Sequence, residues 1–84
     1  MPLLRPDEEI SDREAFVAFL RELHDDFIRR GDEWENPTLD RFLEALAAWV
    51  KASPGWYGNF HQELPARGDW TFLARALAAA TVYE

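Results

Sequence analysis

The segment Trp34-Glu35-Asn36-Pro37-Thr38-Leu39, running on through Phe42-Leu43-Glu44-Ala45-Leu46-Ala47-Ala48-Trp49-Val50, constrains this chain more than any other. Asn36 is a good N-cap residue. Pro37 suits a first helical turn, where the amide it lacks would be unpaired anyway. Apolar residues then recur at 39, 42, 43, 46, 49 and 50, one face of a helix. A start signal and a buried face in one stretch predict an amphipathic helix over 37–52, closed by Ser53-Pro54-Gly55. The stretch specifies structure and carries no reactive group.

Two further helices follow from the same kind of signal. Ser11 and Glu14 have capping-box spacing. Behind them Phe16, Val17, Leu20, Leu23 and Phe27 form a helical stripe. Acids at 12 and 14 and arginines at 29 and 30 suit the helix dipole. Asp25/Arg29 and Asp26/Arg30 stand at i,i+4 spacing, each pair worth roughly 0.2–0.5 kcal/mol. Gly31 is the expected left-handed stop, so the first helix spans about 11–30. Asp69 caps a third helix over about 69–82, in which Arg75 is the only charge between Trp70 and Tyr83. A helix apolar nearly all round is either central or an interface. The expected fold is all-α: one domain over 1–84, a small three-helix bundle with an arm at 1–10. A long aromatic loop joins helices two and three.

At 84 residues the chain is just above the size at which small folds usually need staples. It has no cysteine, so side-chain packing must supply the core, and 4 Trp, 6 Phe and 2 Tyr provide for it. The lack of cysteine fits a reducing compartment. The start has no signal-peptide stretch, and no run approaches a membrane span, so a cytoplasmic protein is expected. The net charge of −7 is uneven. Residues 1–35 carry 11 acids against 5 arginines, a balance of −6, and 36–84 carry 5 acids against 4 bases, a balance of −1. Such a field repels nucleic acid and anionic membrane and attracts basic protein surfaces.

Catalytic patterns are missing from the sequence. There is no cysteine nucleophile, Ser11 and Ser53 stand at expected helix boundaries, and Gly55 and Gly58 flank an aromatic pair rather than open a phosphate loop. His24 and His61 are the only histidines, and neither has a second ligand at helical spacing. No cofactor and no metal is expected. The helix pair 37–52 and 69–82 is too widely separated for a helix-turn-helix reader. Gly55-Trp56-Tyr57-Gly58-Asn59-Phe60 is the strongest candidate contact segment, either as an anchor for a partner or as a lid folded on the core.

The pattern Phe16-x-x-Phe19-Leu20, Trp34-Glu35-Asn36, Leu39-x-x-Phe42-Leu43-Glu44-Ala45-Leu46-x-x-Trp49, Tyr57-x-Asn59 and Trp70-x-Phe72-Leu73-Ala74 … Val82-Tyr83-Glu84 resembles that of a family of short, uncharacterised bacterial proteins, a domain of unknown function. The resemblance covers nearly the whole chain and implies no catalytic residues. In style, short, acidic and without a nucleophile, the chain is similar to immunity proteins that neutralise bacterial toxins.

The expected function is therefore non-enzymatic protein binding, most concretely immunity-type inhibition of a basic bacterial protein. Glu22, Asp25, Asp26, Asp32, Glu33 and Glu35 would steer the encounter, and Trp56 or Tyr57 would anchor it. The alternative is a self-associating structural or regulatory protein, a homodimer through helix three. There Ala74, Ala78 and Ala80 would allow close approach, and Arg75 would reach an acid of the other copy.

Overall fold

A computed structural model of the protein describes residues 3–83. Three α-helices, α1 (Arg13–Arg30), α2 (Leu39–Asn59) and α3 (Trp70–Ala80), carry the fold. A 3-10 turn at Gly31–Glu33 follows α1, and no strand occurs among the described residues. The all-α three-helix expectation therefore holds. Met1 and Pro2 of the expected arm, and Glu84 of the terminal motif, lie outside the described residues.

The helix ends differ from the sequence reading in instructive ways. Asp12, not Ser11, caps α1: its backbone is extended and its Oδ1 accepts from the Ala15 N–H at 2.8 Å. A carboxylate there also meets the positive end of the helix dipole. Gly31 does end α1, but with φ −58, not in a left-handed conformation. Its lack of a side chain serves space instead. A Cβ at this position would stand 2.6 Å from Cδ1 of the Phe27 ring, which packs edge-on against Trp34.

Thr38, not Asn36, caps α2, its Oγ1 accepting from the Arg41 N–H at 3.3 Å. The helix then runs through Pro54 to Asn59 rather than stopping near 52. Proline at 54 removes the N–H that would bond to the Val50 carbonyl. The Ser53 hydroxyl replaces that donor, bonding to Val50 O at 2.7 Å from a buried position. Gly55 to Asn59 are therefore the last turns of α2, and the connection to α3 shortens to 60–69.

At the start of α3 the Asp69 Oδ1 accepts from the Phe72 N–H at 2.7 Å, as its sequence predicts. The helix is the centre of the molecule. Ala74 meets Phe19 and Leu23 of α1, and Ala76 meets Trp49 and Tyr57 of α2. α1 and α2 each pack on α3 and not on one another. Small side chains at 74, 76 and 80 leave room for neighbours on several sides, and all three are buried.

Two segments tie this layer together. Asn36 is buried and closes the end of α3. Its Nδ2 donates to Ala80 O at 3.0 Å and Tyr83 O at 2.7 Å, while its backbone N–H donates to Thr81 O at 3.0 Å. The last carbonyls of a helix lack partners within the helix, so this distant side chain does the work of a cap. The arm, residues 3–10, lies across α3 as a strap. Ile10 exchanges two hydrogen bonds with the Thr71 hydroxyl, at 2.8 and 3.2 Å. Arg75 Nη2 donates to Pro6 O at 3.0 Å and Glu8 O at 3.3 Å, and Gln62 Nε2 donates to Pro6 O at 2.9 Å.

Candidate functional site

The acids expected to steer a partner divide into two groups. Glu22, Asp25, Asp32, Glu33 and Glu35 are exposed around the end of α1 and the turn that follows it. Asp26 is not available: it is buried beside the core. Its Oδ2 accepts from the Trp34 indole N–H at 2.7 Å, and its Oδ1 accepts from Arg30 Nε at 3.0 Å. The Trp34 hydrogen bond, together with Arg30 and the more distant Arg29, holds the carboxyl below the usual aspartate range although burial works the other way. Arg29 does not complete the matching pair with the Asp25 carboxylate; its Nε donates to the Asp25 backbone carbonyl at 3.4 Å.

Neither expected anchor is freely exposed. Tyr57 is 3% exposed and packs on Phe72 with ring centroids 6.0 Å apart. Trp56 is half-buried against Trp49 and Phe60, at 6.1 and 4.6 Å. The cause is the continuation of α2 past Pro54. It puts 56 and 57 seven and eight residues beyond Trp49, on the same helical face. The Arg75 guanidinium lies over both rings, 4.9 Å from Trp56 and 5.2 Å from Tyr57. Arg75 is thus engaged inside the chain rather than offered to another copy. Of the alanines in the self-association reading, Ala74 and Ala80 are fully buried and Ala78 is half-buried beside the α1 cluster.

What the structure brings together instead is an apolar face. On α1, Val17, Leu20 and Phe27 are 38%, 38% and 44% exposed. On α2, Leu39, Leu43 and Val50 are 73%, 52% and 40% exposed, and on α3 Trp70 and Leu73 are 36% and 45% exposed. Spacings of i, i+3 or i+4, and i+7 put each set on one stripe of its helix. The stripes meet. One groove joins α1 to the start of α2 between Leu20, Phe27, Leu39 and Phe42. A second, of about 670 Å³, lies between α2, the connection 64–69 and the start of α3, with Val50, Pro54, Leu64, Trp70 and Leu73 in its lining. The Phe16 and Trp70 rings, 5.3 Å apart, link α1 to α3.

The face is open because of how α3 is surrounded. Thr71 and Arg75 hold the strap. Trp70, Leu73 and Leu77 lie roughly 100–160° round the helix from them. α1 and α2 occupy the flanks, and the connection 64–69 borders the remaining side beside Val50, Trp70 and Leu73. Charges of both signs stand at its edges, Arg21 next to Leu20, Asp40, Glu44 and Lys51 next to Leu39, Leu43 and Val50, and Arg67 on the connection, all exposed. The sequence carried a signal for this face. The apolar stripe at 39, 42, 43, 46, 49 and 50 is wider than one neighbouring helix can cover, and α3 buries only part of it.

Among the described residues no three histidine, aspartate or glutamate side chains converge as metal ligands, and no helix is long and apolar enough to cross a membrane. A model of the protein family DUF7660, a family of unknown function, matches residues 12–84. No curated protein and no solved structure matches the chain.

Proposed function

The chain belongs to DUF7660, a family without an assigned function, and from its surface we propose that it is a non-enzymatic protein-binding domain that docks a basic protein on its open apolar face. The observation that supports this is the exposure of eight large apolar side chains, from Val17 to Leu73, along and beside two grooves of a chain of net charge −7. Large exposed apolar patches mark interaction surfaces. Charge selects the sign of the partner. The exposed acids at 22, 25, 32, 33 and 35 provide a field that speeds encounter with a cation-rich surface. The most concrete form of the reading is an immunity-type inhibitor of a basic bacterial toxin, working in the cytoplasm.

The test compares the wild-type chain with the double variant Leu43→Ser/Leu73→Ser. Both residues are about half exposed, so the variant should unfold within about 1 kcal/mol of wild type. The expected result is a cationic protein, identified and purified, that binds wild type one-to-one and loses at least tenfold in affinity against the variant. Its association rate should fall steeply with salt. A partner that binds both forms equally, or whose rate ignores salt, overturns the assignment.

A further inference from the structure

We infer that the polar cavity beside the strap is a binding site for a free basic α-amino acid, held with its carboxylate inward and its cationic side chain toward the rim. The site is separate from the docking face and does not rest on that reading. Its lining includes Thr71 and Arg75, on the strap side of α3, and none of Leu20, Leu43 and Leu73.

The cavity, of about 360 Å³, lies where the strap, the end of α2, the connection to α3 and α3 itself meet. That is the size of a site for a small ligand. Asp7 and Glu9 come to it from the strap, Glu63 and Asp69 from the connection, Tyr57 from α2 and Arg75 from α3.

Two buried donors point to a ligand. Tyr57 and Arg75 are each more than nine-tenths buried, yet the Tyr57 hydroxyl and Arg75 Nε have no hydrogen-bond partner among the described residues. Tyr57 lines this cavity and neither of the apolar grooves. Buried polar groups are ordinarily paired, so two orphans at one cavity call for an acceptor. The other donors nearby are engaged. Arg75 Nη2 holds the strap carbonyls, and the Thr71 hydroxyl exchanges hydrogen bonds with Ile10. Arg75 Nε–H can only donate, and a tyrosine hydroxyl can donate. A carboxylate accepts from both, one donor on each oxygen, and such charge-assisted bonds are the strong ones.

Charge selects the rest of the ligand. Four exposed carboxylates, Asp7, Glu9, Glu63 and Asp69, surround the cavity against the one guanidinium. Glu9 and Glu63 make no ion pair among the described residues. Asp7 has an exposed contact with Arg5 at 3.8 Å, and Asp69 gives Oδ1 to the α3 cap. A simple anion would satisfy the two donors against the repulsion of four acids. A simple cation would suit the acids but leave both donors unmet beside a like charge. A ligand with a carboxylate at one end and a cation at the other answers both groups. The excess of acids favours one of net positive charge, which is a basic α-amino acid. A metal ion does not suit these acids, because no three of them converge as ligands.

The probe is L-arginine, titrated into the full chain by calorimetry. It should fill one saturable site, shift the backbone amides of Asp7, Glu9, Glu63 and Asp69, and slow exchange of the Ile10 amide. Agmatine lacks the carboxylate and L-citrulline lacks the side-chain charge. Each should bind roughly tenfold more weakly, because each loses a charge-assisted contact. Tyr57→Phe removes the hydroxyl alone and should lose roughly the same factor. Its urea midpoint should equal or exceed that of wild type, since the hydroxyl has no protein partner to lose. Glu9→Gln/Glu63→Gln changes two exposed side chains and should narrow the gap between L-arginine and L-citrulline. No saturable binding, equal binding of agmatine, equal binding by Tyr57→Phe or an unchanged gap in the glutamine variant overturns the site. A clear fall in the urea midpoint of Tyr57→Phe overturns it as well, because the hydroxyl would then already be satisfied. Leu43→Ser/Leu73→Ser should bind L-arginine as wild type does, and loss there would move the ligand to the apolar face and overturn the assignment. Failure of L-arginine to bind leaves the docking reading standing, and a protein partner that ignores Leu43→Ser/Leu73→Ser removes that reading without touching this site.

Discussion

Asn36 and Asp26 show how one polar side chain can hold distant parts of a small fold. Asn36 binds the end of α3 across 44 and 47 residues of sequence, with Nδ2 shared between two carbonyls. Asp26 joins α1 to the turn after it, taking the Trp34 indole and the Arg30 guanidinium on separate oxygens. Trp34 in turn packs on Phe27 and Phe42, so the carboxylate fixes a tryptophan at the α1–α2 junction. The fold lowers the pKa of Asp26, which means that it favours the charged form. Its contribution to stability is complete above the unfolded-state value, about 4, and fades as pH falls through the folded value. Asp26→Ala should lower stability by about 1–3 kcal/mol at neutral pH, because it leaves a donor without its acceptor. The gap to wild type should narrow progressively below about pH 4. Urea unfolding of both proteins at pH 7 and pH 3 measures this. An identical gap at the two pH values would show that the charge of Asp26 contributes nothing.

At the scale of elements, α2 carries the largest departure from local expectation. A Ser-Pro-Gly sequence usually ends a helix, and on propensity alone Pro54 costs about 3 kcal/mol within one. Two features offset this. The Ser53 hydroxyl serves the Val50 carbonyl that Pro54 leaves without its donor. Beyond it, Trp56 and Tyr57 pack with Trp49, Phe72 and Ala76 and lie under the Arg75 guanidinium. Tertiary burial thus rescues a turn that the local sequence disfavours. Ser53→Ala should cost about 1–2 kcal/mol, more than a typical surface serine, since it strips a buried carbonyl of its partner. Amide exchange at Gly58, Asn59 and Phe60 should quicken more than exchange at Leu46 or Ala47. Uniform quickening along α2 would mean that Ser53 acts on global stability and not on the helix beyond the proline.

For the whole molecule, α3 is a central rod with four surroundings: α1, α2, the strap and the side bordered by the connection 64–69. Arg75 links three of these parts. It sits on α3, donates to the strap carbonyls of Pro6 and Glu8, and lies over two rings of α2. It is 7% exposed, and its Nε has no protein hydrogen-bond partner among the described residues, so the aromatic faces and carbonyl oxygens carry its compensation. Arg75→Leu keeps an apolar stem but removes the donors. The expected result is release of the strap: the Ile10 amide should exchange at least tenfold faster relative to Trp49, and proteolysis should begin within residues 3–10. Retained protection at Ile10 would show that the Thr71 hydrogen bonds and the packing of Leu3 and Leu4 suffice without Arg75.

The sequence by itself determined the number, order and type of the helices, because their signals are local. Asp69 and the stripes at 16–27 and 39–50 need only neighbours a few residues away. It also located the exposed acids at 22, 25, 32, 33 and 35, since an uneven charge distribution can be counted. Only the tertiary structure decided which acid was buried, whether Asn36 capped the helix beside it or the one 44 residues on, and where Trp56 and Tyr57 pointed. Each of those outcomes depends on a partner far away in the chain. The open face belongs to the same class. Leu20, Leu43 and Leu73 read in sequence as core residues of three separate helices. They stay exposed because α1 and α2 both pack on α3 and not on each other, and the strap takes another side of α3.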